Sequence, residues 1–281
     1  MTDLSMRVMM SSVTVGGRIA VASAMIQSAT ELIAGSATHL ISVDDGDAAW
    51  SDAHANFLSS LLDAERQDLL TFARRRTLKP REYLFQAGDH SGDVYILAIG
   101  CVRQFQISPT GKETILWFNF PGEVFGLAEL SSGIERQINA VANDASEVLC
   151  VRRTDFIQFL GKHPEAAMKA IGILSARVRA FGYVLAGLTL DNVETRIARL
   201  LMRFAAVSSQ ARCSVKVEQE EVCVNVRLRH QDIANLIGAS RQTVTSTLLS
   251  LRRRDAIRME GHHIHIMNPS HFQHLIEQSA S

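Results

Sequence analysis

Arg241, Gln242, Thr245 and Ser246 are spaced to share one side of a helix, and together they carry the donors and acceptors that read base edges. An arginine can give two parallel hydrogen bonds to guanine O6 and N7, and a glutamine can pair with adenine N6 and N7. Around them, His230, Gln231, Ser240, Thr243, Arg252, Arg253 and Arg254 are residue types that hold a phosphate backbone without reading sequence. The chain's 29 basic and 29 acidic side chains cancel, yet residues 227–258 hold seven arginines against two acids, Asp232 and Asp255. Seven less two leaves a local excess of five positive charges, the footprint of a nucleic-acid partner confined to one segment.

Such side chains need two helices to carry them. Ile233, Ala234 and Ile237 give the first helix an inward face, Gly238 permits a tight turn, and Val244, Leu248 and Leu251 form the buried stripe of the second. The spacing predicts a helix-turn-helix over 230–254. Residues 256–260 and 263–267, turning at Gly261, predict a hairpin wing. A helix over 193–206, capped by Asp191 or Asn192, and strands within 213–219 and 222–228 lead into it.

Ahead of that module, Ile171, Leu174, Val178, Phe181, Leu185 and Leu188 repeat at steps of three and four, the seam of a coiled coil that pairs two copies of the chain. Gly172, Gly182 and Gly187 each cost about 1 kcal/mol in a helix interior, so this helix needs support from its surroundings. Residues 79–152 fall into short apolar runs punctuated by glycine, with turns at Gly111 and Gly122. That pattern predicts an antiparallel β-roll with a hollow interior able to hold a small ligand. The fold class is therefore α+β: an N-terminal antiparallel β-roll, a long dimerisation helix and a C-terminal winged helix-turn-helix. The expected domains are an extension over 1–50, disordered or weakly helical, a sensor roll over 51–163, the dimerisation helix over 164–190 and the DNA-binding domain over 191–281.

Polar residues interrupt the mildly apolar stretch 19–33, which argues against a secretory signal. The four cysteines, Cys101, Cys150, Cys213 and Cys223, show no CxxC pair and read as buried thiols in a reducing, cytoplasmic compartment. No apolar run is expected to approach the roughly 20 residues that span a bilayer. Catalytic motifs are missing: no P-loop, HExxH, GxSxG or dinucleotide fingerprint occurs. His262, His263 and His265 could suggest a metal, but with only Glu260 nearby they read as a wing that brushes DNA, and no metal is expected.

GKETILWFNFPGEVFG, VETRIARLL and QDIANLIGASRQTVTSTLLSLR occur in that order, and over about 79–267 the chain resembles the Crp/Fnr family of bacterial transcription regulators. The resemblance implies a cyclic-nucleotide-binding-like roll and a homodimer that binds inverted-repeat double-stranded DNA, and it allows RNA polymerase as a further partner. It places a possible effector near Gly126, Glu129, Arg136, Gln137 and Phe181. Members that bind cyclic AMP carry a glycine-glutamate pair and then an arginine followed by serine or threonine. Here Leu127 follows Gly126 and Gln137 follows Arg136, so cyclic AMP is not the expected effector. No cysteine precedes Cys101, which removes the family's iron-sulfur sensor, and Cys101 and His90 lack the context of haem ligands. An anionic metabolite or nucleotide at Arg136, or a ligand-free structural roll, remains. In the recognition helix Arg241 matches the guanine reader of the cyclic-AMP branch. Gln242 replaces a glutamate and Ser246 an arginine, so the half-site differs from the family's familiar ones.

Overall fold

The computed structural model describes residues 43–131, 133–208, 221–261 and 263–279. Three helices come first: α1 (Val43–Ala53), α2 (Phe57–Ser60) and α3 (Asp63–Phe72). Eight strands follow: β1 (Arg74–Leu78), β2 (Tyr83–Phe85), β3 (Asp93–Ile99), β4 (Val102–Ile107), β5 (Glu113–Asn119), β6 (Val124–Phe125), β7 (Asn139–Ala142) and β8 (Ser146–Arg152). They make two four-stranded antiparallel sheets, ordered β1-β8-β3-β6 and β2-β7-β4-β5. Period-two alternation explains how β3 serves both of its faces. Tyr95 and Leu97 pack inside the roll with Phe85, Phe125 and Val148, while Val94 and Ile96 face the helices at Phe57, Leu69 and Phe156. Apolar side chains thus fill part of the interior expected to be hollow, and a cavity of about 280 Å³ remains beside Phe85, Arg136 and Ile138. Gly111 (φ +81°) closes the β4–β5 hairpin as expected, whereas Gly122 (φ +91°) sits in the turn from β5 to β6, which lie in different sheets. A Cβ at Gly122 would lie 2.1 Å from the Asn56 side chain, so a larger residue would have to displace that side chain from its hydrogen bond with the Ser59 amide.

After the roll come α4 (Arg153–Lys162), α5 (Pro164–Leu190) and α6 (Val193–Ser208), the last capped where Asn192 Oδ1 accepts from the Thr195 amide at 2.9 Å. The final module holds β9 (Val222–Val224), α7 (His230–Ile237), α8 (Arg241–Arg253), β10 (Ile257–Glu260), β11 (His263–Ile266) and α9 (Pro269–Gln278). The wing pairs as expected and turns at Gly261 (φ +60°), but it gains a third strand, β9, along β11.

α5 has two unlike faces. Small residues, Ala166, Ala170, Ala176 and Ala180, with Ile173, are buried against the body, and the six residues of the expected seam are all exposed, Val178 at 72% and Leu185 at 66%. Among the described residues α5 is long and apolar enough to cross a membrane by length and composition, which corrects the expectation that no such stretch exists. Its apolar excess lies on the outward stripe, while Arg177 in mid-helix donates to the Val124 carbonyl at 2.9 Å.

Two further expectations change. The extension over 1–50 was to be disordered or weakly helical, but its end is ordered: α1 buries Trp50 against Trp117 and Phe204. The stretch 19–33 lies outside the described residues, as do 213–219. Cys101 and Cys150 are free and buried, and burial raises both thiol pKa values, that of Cys101 strongly. Cys223 is disulfide-bonded rather than a thiol. A disulfide depends on the distance between Cα atoms in space and not on their spacing in sequence, so the missing CxxC pair was not decisive.

Candidate nucleic-acid interface

The helix pair forms because each end is satisfied locally. Asp232 accepts from the Arg229 amide at 2.9 Å at the start of α7, and Gly238 ends that helix in the left-handed region (φ +63°). Ser240 caps α8, its Oγ accepting from the Thr243 amide at 3.0 Å. Ile233, Ala234, Ile237, Val244, Leu248 and Leu251 are buried as their periodicity requires.

That packing turns Arg241, Gln242, Ser246 and Leu249 outward along one side of α8. Thr245 is only half-exposed. Its hydroxyl donates to the Arg241 carbonyl at 2.8 Å and lies 2.9 Å from His230 Nδ1, so it ties the two helices together. His230 is half-buried, and burial followed by the Arg241 charge lowers its pKa. Leu249, 45% exposed one turn beyond Thr245, extends the outward stripe and was missed in the sequence because an apolar residue there looks like core. Its side chain is of the type that touches thymine methyl groups.

The charge count changes in three dimensions. Arg227 pairs with Asp144 at 3.6 Å, Arg254 with Glu194 at 2.6 Å and Arg258 with Glu221 at 2.5 Å, and three of these acids lie outside 227–258. Arg252 and Arg253 remain exposed, with Arg253 Nε near the Leu249 carbonyl at 3.4 Å. Gln231 is exposed and donates to Asn235 Oδ1 at 2.8 Å. Ser240 and Thr243 stay exposed at the positive end of the α8 dipole, their hydroxyls 2.8 Å apart. The wing histidines do not behave as expected. His265 is fully buried on the central strand of the sheet, where it pairs with Cys223 of β9, so it cannot brush DNA, and burial followed by the Arg258 charge lowers its pKa. His263 is half-buried and His262 lies outside the described residues. Among the described residues no group of three His, Cys, Asp or Glu side chains is placed to hold a metal.

The module is docked on the roll. Arg103 of β4 reaches Asp232 of α7 at 3.2 Å and Glu113 at 2.6 Å, and Asn143 donates to the Arg227 carbonyl at 3.2 Å. One apolar cluster runs from Phe105, Ile115 and Phe118 of the roll through Phe204 into Ile233 and Leu248.

In the roll, the expected effector residues are only partly together. Arg136 is 2% exposed and its two terminal nitrogens are engaged: Nη1 donates to the Gly126 carbonyl at 3.1 Å and to Glu129 Oε2 at 2.8 Å, Nη2 donates to the Asp93 carbonyl, the buried Nε has no acceptor, and the guanidinium lies 4.5 Å from the Phe85 ring centre. Gly126 (φ +76°) makes room for it, since a Cβ there would sit 3.1 Å from the guanidinium. Gln137 is exposed and donates instead to the Glu135 carbonyl, while Phe181 lies across a cavity of about 280 Å³ between roll and α5. Sequence reasoning missed a buried network nearby. His54 Nδ1 meets Glu123 at 2.6 Å, Arg177 reaches the same carboxylate at 3.5 Å, and the His54 ring stacks on Trp117 at 4.4 Å. Its three members lie far apart in sequence, and no local pattern joins them.

Residues 75–163 match the cyclic nucleotide-binding domain, and residues 195–275 match the Crp-like helix-turn-helix domain. The chain is 29% identical over 199 residues to the cyclic AMP receptor protein of Thermus thermophilus, covering 70% of this chain and 86% of that one. To the transcriptional activator protein Anr of Pseudomonas protegens it is 25% identical over 199 residues, covering 70% and 78%. Among solved structures, FixK2 from Bradyrhizobium japonicum superposes with a TM-score of 0.61 at 21% identity, covering 72% of this chain and 96% of that one. The c-di-GMP responsive regulator CLP of Xanthomonas campestris gives 0.60 at 20% identity, covering 73% and 98%.

Proposed function

From the premise that the chain belongs to the Crp/Fnr family of DNA-binding transcription regulators, which are not enzymes, we propose that it works as a homodimer zipped along α5. The observation that carries this reading is the outward stripe of α5: Ile171, Leu174, Val178, Phe181, Leu185 and Leu188 stand exposed at consecutive steps of three and four along one helix. An apolar stripe of that length in water asks for a partner, and a second copy presents the same stripe. The division into a roll over 51–163, a helix over 164–190 and a DNA-binding domain over 191–281 belongs to the same reading, with α1 added to the roll side.

Each α8 enters a major groove of an inverted-repeat duplex. Arg241 reads guanine, Gln242, Thr245 and Ser246 meet neighbouring base edges, and Leu249 adds an apolar contact. His230, Gln231, Ser240, Thr243, Arg252 and Arg253 hold phosphates, and Arg254 joins them by exchanging its Glu194 partner for the duplex. RNA polymerase as a further partner and a cytoplasmic location follow from that role.

In the roll, Glu129 already takes the place beside Arg136 that an anionic ligand would need, so an anion there must displace a buried ion pair. This favours a roll that binds neither cyclic AMP nor another anion at Arg136, and it supports the second reading of the roll as a ligand-free platform. Neither metal nor iron-sulfur cluster is part of the proposal.

Sedimentation of the full chain should give a dimer, and Val178→Asp should give a monomer with at least roughly 100-fold weaker binding to an inverted repeat selected from random duplexes, because the substitution buries two facing charges. A wild-type monomer with no preference for any inverted repeat would overturn the proposal.

A further inference from the structure

A second cavity, of about 350 Å³, lies where the roll, α5 and the DNA-binding module meet. It shares only Leu116 and Phe181 with the cavity at Arg136. Its walls are apolar: Leu116 comes from β5, Val184 from α5, Leu200 from α6 and Leu236 from α7. One end is basic. Arg196, Arg199 and Arg203 follow one another along α6 at steps of three and four, so their side chains share one stripe.

Two of these arginines have carboxylate partners, Arg199 with Asp191 at 2.8 Å and Arg203 with Asp47 at 3.2 Å. Arg196 is different. It donates from its Nη1 to the Ile237 carbonyl at 2.8 Å, no carboxylate lies within ion-pair distance of it among the described residues, and its buried Nε has no acceptor. A half-buried cation on an apolar wall with an unused donor is a position that an anionic group would stabilise.

We propose that this cavity binds an amphipathic carboxylate, its head on the Arg196 guanidinium and its apolar body among Leu116, Val184, Leu200 and Leu236. The volume lies at the lower end of small-molecule sites, and a mostly apolar lining with few polar anchors is their usual composition. Because the walls come from roll, long helix and helix-turn-helix, the occupant touches all three and biases how the module docks. By linkage, DNA then changes the affinity for the carboxylate by the same factor that the carboxylate changes the affinity for DNA. Phe181, Leu185 and Leu188 of the exposed α5 stripe also line this cavity, so its occupant borders the seam of the proposed dimer, while the residues tested below, Arg196 and Leu236, lie off that stripe.

Decanoate is the probe, titrated into the full-length protein by calorimetry and followed by melting temperature, with decan-1-ol and acetate as the body and the head alone. Decanoate should bind saturably with one site per chain and raise the melting temperature with concentration as a native-state ligand does. Arg196→Met should weaken decanoate roughly tenfold or more while leaving decan-1-ol unchanged, and Arg196→Lys should retain most of the affinity. Leu236→Trp, which fills this cavity, should abolish binding, and Ile138→Trp, which fills the one at Arg136, should not. Melting each variant without ligand shows whether it folds, and the two Arg196 variants decide the matter if Leu236→Trp does not. Equal decanoate affinity in wild type and Arg196→Met, or loss in Ile138→Trp alone, would overturn the inference. DNA binding by the same protein without decanoate is the control: intact DNA binding with no decanoate binding sinks this site and leaves the proposed function standing.

Discussion

Arg136 in the roll and Arg241 at the start of α8 were both expected to meet an outside partner, and the fold treats them oppositely. Arg136 is buried, with three acceptors and an aromatic face supplied from within the chain. Arg241 is exposed beside a capped helix end, with no carboxylate within ion-pair distance among the described residues. The difference teaches that an arginine's availability depends on the neighbours the fold assigns it. A guanidinium already paired in a dry setting resists exchange, because any newcomer must repay the desolvation of the partner it displaces. An exposed one gains a partner at little cost.

The strongest way to break this contrast is to strip Arg136 of its carboxylate. Glu129→Gln should destabilise the protein by about 3–5 kcal/mol in urea unfolding, since it leaves a buried charge short of its counter-ion. An unchanged midpoint would mean that the pair does not hold the roll. Next in size, Arg241→Ala should lose about 1–3 kcal/mol of discrimination at one guanine while stability moves by less than about 0.5 kcal/mol. Arg253→Ala should weaken selected and random duplexes alike and reduce the salt slope by about 1, as measured by fluorescence anisotropy across a salt series. Equal losses on both duplexes for the Arg241 variant would remove its reading role.

Ser240→Ala tests whether α8 is held ready by its cap. It should cost about 1 kcal/mol of stability, because the Thr243 amide loses its acceptor, and thermal unfolding would reveal it. The smallest effect concerns pH. Burial and Arg258 lower the pKa of His265, so its proton is bound more tightly in the unfolded chain than in the folded one. Its neutral form leaves stability untouched above the unfolded value of about 6.5, and stability falls as pH drops below that value. Calorimetry should show a lower melting temperature at pH 5.5 than at 7.5, and a smaller drop in His265→Gln.

Local periodicity made much of the architecture legible. The helix-turn-helix, the wing, the α6 cap and the outward stripe of α5 depend on steps of two, three or four residues, and each stands where its pattern put it. Other elements had weaker signals. β1, with three arginines in five residues, lacks apolar alternation and is held as an edge strand by pairing with β8 and by the ion pair of Arg75 with Glu147. α9 is signalled locally, by Asn268 as cap, Pro269 at the first turn, and Phe272 and Ile276 four apart on the buried side. In the site, Thr245 was placed on the right face, but its hydroxyl proved to be engaged by the Arg241 carbonyl and His230.

By itself the sequence determined which side chains share a helix face and which segment carries excess arginine, because both are set by neighbours a few positions away. Only the tertiary structure decided which of those arginines remain free, that Arg136 is closed off by Glu129, that His265 is buried, and that an apolar cavity with Arg196 on its wall opens between roll and DNA-binding module. Charge pairing and cavities are made by residues tens of positions apart, and Coulomb and packing forces act on distance in space, which the order of residues along the chain does not record.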